Sequence, residues 1–152
     1  MNRYGKPAEI VPQMLEAVSR NEDFWLTVTG YSMAPTLRHL RDGVCISPLD
    51  RKAKKGDILL TRAKGNRCLL HRVIRTDGDY IYYKGDAQDY IEGPFPAADV
   101  IGIATKIRRN GNVFPVSDSY IYLCAIRCGF CRLIRPAVRI MRGLKAKISD
   151  KL

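Results

Sequence analysis

The sequence predicts a mainly β domain that is preceded by a short helix and followed by a basic amphipathic helix. Three observations support this fold class. Runs with strand composition occupy the middle of the chain, turn residues separate them, and apolar residues recur at helical spacing near both ends. With 152 residues, of which 46% are hydrophobic, the chain can bury a core. We therefore divide it into residues 1–23, 24–116 and 117–152.

The first predicted element is an amphipathic helix from Ala8 to Arg20. Its apolar residues follow the period of a helix that is buried on one face: Ile10, Val11, Met14, Leu15 and Val18. Proline is tolerated best in the first turn of a helix, so we expect Pro12 to lie there. Charged residues are scattered through residues 1–23, and a membrane span needs about 20 mostly apolar residues. No transmembrane helix is expected in this segment.

Six strands are predicted in the central part of the chain. They cover Phe24 to Thr29, Gly43 to Pro48, Asp57 to Arg62, Cys68 to Arg75, Asp79 to Lys84 and Val100 to Arg108. Pairs such as Asp-Gly, Lys-Gly and Asn-Gly mark the turns between them. The Asp77-Gly78 pair predicts a hairpin, which would place the strand that contains His71 beside the strand that ends at Lys84.

The last predicted element is a basic helix within residues 120–144. Its apolar stripe runs from Leu123 to Leu144, and four arginines fall on the opposite face: Arg132, Arg135, Arg139 and Arg142. A kink is expected at Pro136. Such a helix can lie on an anionic membrane, bind a protein partner or pack on the β-domain. Much of the net charge of +11 lies here and in residues 51–55, which favours a membrane surface or a partner.

Cysteine content indicates a reducing compartment. Five cysteines form an odd set, and no secretory leader with a cleavage site opens the chain. We expect a protein that is cytoplasmic or peripherally attached to a membrane. Three of the cysteines fall in the C-terminal helix: Cys124, Cys128 and Cys131. No further metal ligands are identified beside them, so we expect small packing residues there rather than lipid attachment, and neither a metal nor a cofactor is predicted.

Four motifs in a fixed order contain the candidate catalytic residues. They are GYSMAPTL at 30–37, DGVCISP at 42–48 with KKGDILL at 54–60, LLHRVI at 69–74, and YYKGDAQD at 82–89. The first contains Ser32, the third contains His71, and the fourth brings carboxylates. A serine hydroxyl is a weak nucleophile at neutral pH and needs a neighbouring base, which in turn needs an orienting group. The motifs therefore predict a serine nucleophile with a histidine base.

These motifs resemble those of the signal peptidase family of serine proteases, whose superfamily includes the self-cleaving LexA-like repressors. The resemblance covers roughly Thr27 to Arg109 and implies a signal-peptidase/LexA-like β-domain with peptidase activity on a precursor. Typical bacterial signal peptidases and LexA-like proteins use a lysine base, whereas the endoplasmic-reticulum and archaeal type uses a histidine. His71 implies the histidine branch. Its ordinary pKa of about 6.5 suits a base without much tuning.

The acid that orients His71 can be one of three carboxylates. The histidine branch has paired aspartates after its Lys-Gly-Asp block, whereas this sequence continues DAQDYIE from Asp86 to Glu92. Asp86 matches the Gly-Asp of the motif, where a structural role in the turn is expected. Asp89 keeps the residue type at a shifted spacing, while Glu92 keeps the spacing with a longer side chain. We predict Asp89, with Asp86 and Glu92 as alternatives.

Three further residues near Ser32 have separate expected roles. Some bacterial relatives have an oxyanion-stabilising hydroxyl two residues before the serine, but this position is Gly30, so the backbone amide of Ser32 is expected to provide most of the stabilisation. Tyr31 can line the cleft or pack. His39, the other histidine, is expected in a surface loop.

Two other classes of function fit parts of the sequence. A LexA-like self-cleaving regulator would bind DNA, and a basic chain could make the phosphate contacts. However, the 23 residues before the β-domain are too few for a helix-turn-helix module, so nucleic acid is not expected as a partner. A non-enzymatic peptide-binding module would not need Ser32 and His71. The sequence therefore predicts a serine endopeptidase that cleaves a signal or leader peptide.

Overall fold

An antiparallel sheet of eight strands forms the centre of the computed structural model, which describes residues 7–63 and 67–116. The helix α1 at Pro7–Ser19 precedes the sheet. The strands are β1 at Phe24–Thr27, β2 at Asp42–Ser47, β3 at Ile58–Ala63, β4 at Arg67–Asp77, β5 at Tyr80–Lys84, β6 at Glu92–Pro96, β7 at Val100–Arg109 and β8 at Asn112–Pro115, with a 3₁₀ helix at Ala97–Asp99. The predicted mainly β class with a short N-terminal helix is confirmed.

Two predictions concern membranes and the end of the chain. The predicted C-terminal helix and its cysteines fall in residues 117–152, outside the described residues. Within the described ranges, none of the helices has the length and apolar character that crossing a membrane requires.

All six predicted strands are present, and two short strands are not predicted by the sequence. β6 contains Gly93, Pro94 and Pro96, which are residue types that interrupt strand patterns. β8 has four residues and directly follows the Asn110-Gly111 turn. β6 ends the strand order beside β5, and a strand at a sheet edge tolerates proline because one row of its N–H groups needs no partner strand.

The prediction that Pro12 lies in the first helical turn is wrong. α1 begins at Pro7, so Pro12 lies in the helix interior. Pro7 occupies the first position, where its missing N–H removes no intrahelical hydrogen bond. The amphipathic pattern still holds, since Met14 is buried in the core and Leu15 packs against it.

Pairing of β4 with its two neighbours places the candidate base in the interior of the sheet. On one side β4 pairs with β3, with His71 opposite Leu59, and on the other it pairs with β5, with Arg72 opposite Lys84. The predicted hairpin at Asp77-Gly78 is confirmed, with Gly78 at a φ of +56° as a tight hairpin turn requires. The strand that contains His71 therefore lies beside the strand that leads into Gly85 and Asp86.

Two apolar clusters cover opposite faces of β3. Ile58 and Leu60 belong to a cluster that includes Met14 of α1, whereas Leu59 packs with Val73, Ile81 and Tyr83. Because successive side chains of a strand point to opposite faces, this alternation shows that β3 is buried on both sides. β4, which contains His71, is therefore hydrogen-bonded along one edge to a strand that is packed on both faces.

Candidate active site

Ser32 lies in the loop between β1 and β2, and backbone hydrogen bonds close this loop at its base. Val28 N–H donates to Asp42 O at 2.9 Å, and Leu40 N–H donates to Val28 O at 2.8 Å. Met33 and Leu37, which follow the serine in its motif, are buried in the core, while Ser32 is half-buried. The apolar residues of the motif thus hold the loop, while Ser32 between them and the surface stays partly exposed.

A buried carboxylate secures the end of the same loop. Asp42 accepts hydrogen bonds from the side chains of Arg41 and Arg109 and from the N–H of Arg38. Burial opposes ionisation, but the hydrogen bonds from the two arginines outweigh it and lower the pKa of Asp42 to about 2. Asp42 is therefore ionised throughout the neutral pH range and keeps the loop tied to β7.

His71 and Ser32 form the central contact of the site. His71 Nε2 lies 2.9 Å from Ser32 Oγ, a hydrogen-bonding distance. The imidazole is only 4% exposed, and this burial lowers the pKa of His71 because it disfavours the charged form. The Glu92 carboxylate acts in the opposite direction and raises the pKa of His71. A neutral imidazole with a free lone pair on Nε2 can accept the serine proton.

Glu92 faces the other nitrogen of the same ring. Its Oε2 lies 3.3 Å from His71 Nδ1. The geometry does not meet the criteria of a hydrogen bond, so the buried Nδ1 makes none with the described residues. In apo structures such contacts are often long or poorly aligned. Glu92 Oε2 faces Nδ1 of His71 within the distance of an ion pair.

Gln88 holds the second oxygen of that carboxylate. Its Nε2 donates to Glu92 Oε1 at 3.1 Å and to the Tyr90 hydroxyl at 2.9 Å, while its Oε1 accepts from Gly85 N–H at 2.7 Å. Since one oxygen of Glu92 binds Gln88, the other is left facing His71. The sequence does not single out Gln88, because its role depends on a turn whose path the motif does not define.

Asp86 binds an arginine rather than the histidine. Arg72 donates to Asp86 from Nε at 2.8 Å and from Nη2 at 2.7 Å, and the Thr36 hydroxyl also donates to this carboxylate. Such a bidentate pair is a strong and geometrically specific contact. Asp86 thereby connects β4 to the loop that contains Ser32.

The Lys-Gly-Asp turn packs directly against the nucleophile loop. Ala87 N–H donates to Ser32 O at 2.7 Å. A Cβ atom at Gly85 would lie 2.6 Å from the same oxygen, closer than real contacts allow, so this approach requires glycine. The fourth motif therefore helps to define the position of the backbone at Ser32.

The structure brings Ser32, His71 and Glu92 together, and it places Asp89 elsewhere in the turn. Asp89 is exposed between β5 and β6, whereas Glu92 is the first residue of β6 and is half-buried. The available sequence signal for Glu92 is its spacing from Asp86. Because the sequence does not predict β6, it does not show that this strand turns the Glu92 carboxylate toward His71.

Other reactive groups in the described part of the chain do not form competing centres. No three His, Cys, Asp or Glu side chains cluster there as a metal ion would require. Cys45 and Cys68 are free thiols, and burial raises the pKa of both. A thiol whose pKa is raised is a poor nucleophile at neutral pH.

The mainly antiparallel β fold places the Ser32 hydroxyl beside a base, as a serine peptidase requires. The sequence pattern of the Peptidase S24-like family matches residues 4–106, more than half of the chain. The chain belongs to this family, which is part of the LexA/signal peptidase superfamily. The comparison with curated proteins gives no match.

Proposed function

We propose that the protein is a serine endopeptidase of the Ser-His type that cleaves a signal or leader peptide from a precursor. The observation that supports this proposal most directly is the 2.9 Å contact between Ser32 Oγ and His71 Nε2. A binding module would not need a nucleophile and a base in this geometry.

In the proposed reaction, Ser32 Oγ attacks the scissile carbonyl while its proton passes to His71 Nε2. The resulting imidazolium is stabilised by Glu92 and then gives the proton to the leaving amine. Water enters in the second half of the reaction, and His71 again acts as the base. The backbone N–H of Ser32 is the proposed donor to the oxyanion, because Gly30 has no hydroxyl to offer.

Glu92 takes the orienting role in this proposal instead of Asp89, the residue first predicted from the sequence. The Glu92 carboxylate lies 3.3 Å from His71 Nδ1, and Gln88 fixes its other oxygen. Asp86 is engaged by Arg72 and Thr36, which supports a structural role for it.

The pH dependence of cleavage tests the nature of the base. Only neutral His71 can accept the serine proton, and burial lowers its pKa, so in a variant whose only histidine is His71 kcat/KM should rise through an ionisation centred below the ordinary value of 6.5 and then stay level. We would measure initial rates by mass spectrometry on a pool of synthetic peptides between about pH 4 and pH 9.

A control variant assigns that ionisation. The chain has two histidines, so His39→Asn leaves His71 as the only one, and the midpoint of its profile belongs to His71. A rate that continues to rise to about pH 9 would contradict the histidine mechanism and indicate a lysine such as Lys84 as the base.

Self-cleavage, as in a LexA-like regulator, is the second candidate, and membership of the Peptidase S24-like family is equally compatible with it. The two candidates differ in molecularity. The proposed endopeptidase should leave the purified chain intact while it cuts the peptide pool. A self-cleaving regulator should instead lose its own intact mass at a first-order rate that does not change with protein concentration.

We further propose that residues 120–144 attach the protein to an anionic membrane. This proposal rests on the sequence pattern, in which an apolar stripe from Leu123 to Leu144 is opposed by four arginines. Each basic residue near an anionic surface contributes on the order of 1 kcal/mol. A protein partner for the same segment is the alternative.

Vesicle sedimentation tests this attachment. The full-length protein should co-sediment with anionic vesicles at low salt, dissociate as the salt concentration rises, and not bind neutral vesicles. Replacing Arg132, Arg135, Arg139 and Arg142 by glutamine should abolish sedimentation without changing peptide cleavage. If the full-length protein does not bind anionic vesicles, the membrane proposal is wrong and a protein partner becomes the better interpretation.

A further inference from the structure

A side-chain hydrogen bond crosses the nucleophile loop close to Ser32. Gly30 N–H donates to His39 Nδ1 at 3.0 Å. We infer that His39 is a positioning residue for the nucleophile, an inference that rests on the proposed function in assigning that role to Ser32. The sequence predicts only a surface loop at His39.

His39 is itself held at a fixed place in the loop. Its neighbour Arg38 donates its N–H to the Asp42 carboxylate at 2.8 Å, and its other neighbour, Leu40, donates its N–H to Val28 O at 2.8 Å. Both flanking amides are therefore bonded at the base of the loop. A side chain between two such anchored amides can act as a fixed hydrogen-bond acceptor for the part of the loop that contains Gly30.

The backbone at Gly30 needs such an acceptor. Gly30 has a φ of +94°, and a Cβ atom there would meet no atom within 4 Å, so no side chain packs against this position to help fix its backbone. Glycine samples more backbone conformations than any other residue. The hydrogen bond to His39 selects one of them. On its other side, Ser32 is held through its carbonyl oxygen by Ala87 N–H.

The tautomer of His39 follows from this contact. Because Gly30 N–H is the donor, Nδ1 of His39 must be the unprotonated nitrogen and Nε2 must hold the proton. His71 uses the opposite arrangement in the proposed mechanism, since its Nε2 accepts from Ser32 and its Nδ1 faces Glu92. The two histidines thus act on the same serine from different sides, one as its base and one through its backbone.

A second contact of His39 must be separated from the hydrogen bond. Its ring packs against Tyr31 with 4.7 Å between ring centroids, and Tyr31 is 71% exposed. If ring packing alone accounts for His39, any flat ring at this position would serve. If the hydrogen bond accounts for it, the acceptor must be kept and the ring can be lost.

Two substitutions make this separation. His39→Asn places Oδ1 where histidine has Nδ1, so it keeps an acceptor without the ring, whereas His39→Phe keeps a ring without an acceptor. His39→Leu removes both and is a second acceptor-free variant in case the Phe variant does not fold. The substrate is the peptide of the synthetic pool that the wild-type protein cleaves fastest, and Ser32→Ala gives the background.

We expect kcat of the Phe and Leu variants to fall by about tenfold to a hundredfold, because small displacements of a nucleophile have effects of this size. KM should change little, and the Asn variant should keep kcat within about threefold of the wild type, with all thermal midpoints recorded. A wild-type kcat in a folded Phe or Leu variant would overturn the inference. So would an Asn variant that fails to fold or loses as much activity as they do.

Hydrogen exchange at the Gly30 amide, followed by NMR, tests the inference without any substrate. The amide should exchange slowly in the wild type and the Asn variant and faster in the acceptor-free variants, with increased backbone mobility at Ser32. Equal exchange in all four proteins would overturn the positioning role. If instead every peptide that is cut by the wild type is also cut by Ser32→Ala, or none is cut at all, the proposed function fails. The exchange data then still decide the role of His39.

Discussion

Ser32→Ala and His71→Ala should each lower kcat on the peptide pool by at least about a thousandfold. The reason is that the hydroxyl and the imidazole, 2.9 Å apart, act as one unit in the proposed reaction. Without the base, the hydroxyl keeps its proton and is a weak nucleophile; without the hydroxyl, the base has nothing to activate. Initial rates measured by mass spectrometry at a fixed pH above the His71 ionisation provide the comparison.

The double variant gives the sharper result. If the two residues form one catalytic unit, Ser32→Ala/His71→Ala should be no slower than either single variant. Losses that multiply in the double variant would mean that the two side chains act independently, and the proposed mechanism would be wrong. Ser19→Ala is the matched control, since its hydroxyl donates to Glu16 O within α1 and its loss should leave the rate unchanged.

Folding should survive the Ser32 substitution. Ser32 is half-buried in a loop that is held by Met33, Leu37 and backbone hydrogen bonds, so removing its hydroxyl should cost only its hydrogen bond to His71, about 1 to 2 kcal/mol of the free energy of unfolding. A thermal midpoint close to that of the wild type therefore shows that lost activity reflects lost chemistry. His71 is buried, so its alanine variant needs the same check.

The strands around the site could be predicted because their sequence patterns are local. β2, β3 and β4 combine apolar and β-branched residues with glycine turns at their ends, and the Asp77-Gly78 turn defines the hairpin that follows His71. The turn sets the register at its own end of the hairpin, and a bulge between Val73 and Arg75 then shifts it by one residue. The nucleophile and the base could be predicted for a similar reason, since each lies within a short motif.

The identity of the neighbouring carboxylate could not be predicted because it depends on an edge strand without a strand-like sequence. β6 contains two prolines and a glycine, and its pairing with β5 sets the position of Glu92. Sequence spacing alone leaves Asp89 and Glu92 as alternatives that differ by three residues. The contact between His39 and Gly30 is equally invisible in the sequence, because it depends on how the loop closes rather than on either residue type.

Substituting Glu92 by glutamine should lower kcat/KM by about a hundredfold to ten-thousandfold, since loss of an orienting carboxylate in a Ser-His-acid system has effects up to this size. Asp89→Asn is the matched control. It makes the same change from carboxylate to amide in the same turn, and we expect a rate within about threefold of the wild type because Asp89 is exposed while Glu92 faces His71 at 3.3 Å. The opposite order would assign the orienting role to Asp89.

The pH profile of the Glu92→Gln variant separates a direct effect on His71 from a general loss of structure. In the wild type, burial lowers the pKa of His71 and the Glu92 carboxylate raises it. A neutral amide removes only the second influence, so the midpoint of the kcat/KM profile should move to lower pH, while that of Asp89→Asn should not move. A slower variant with an unchanged midpoint would mean that Glu92 supports the fold and does not interact with the charge on the imidazole. Loss of activity with a shifted midpoint is the result that an orienting carboxylate requires, because only a group that interacts with the imidazolium changes both.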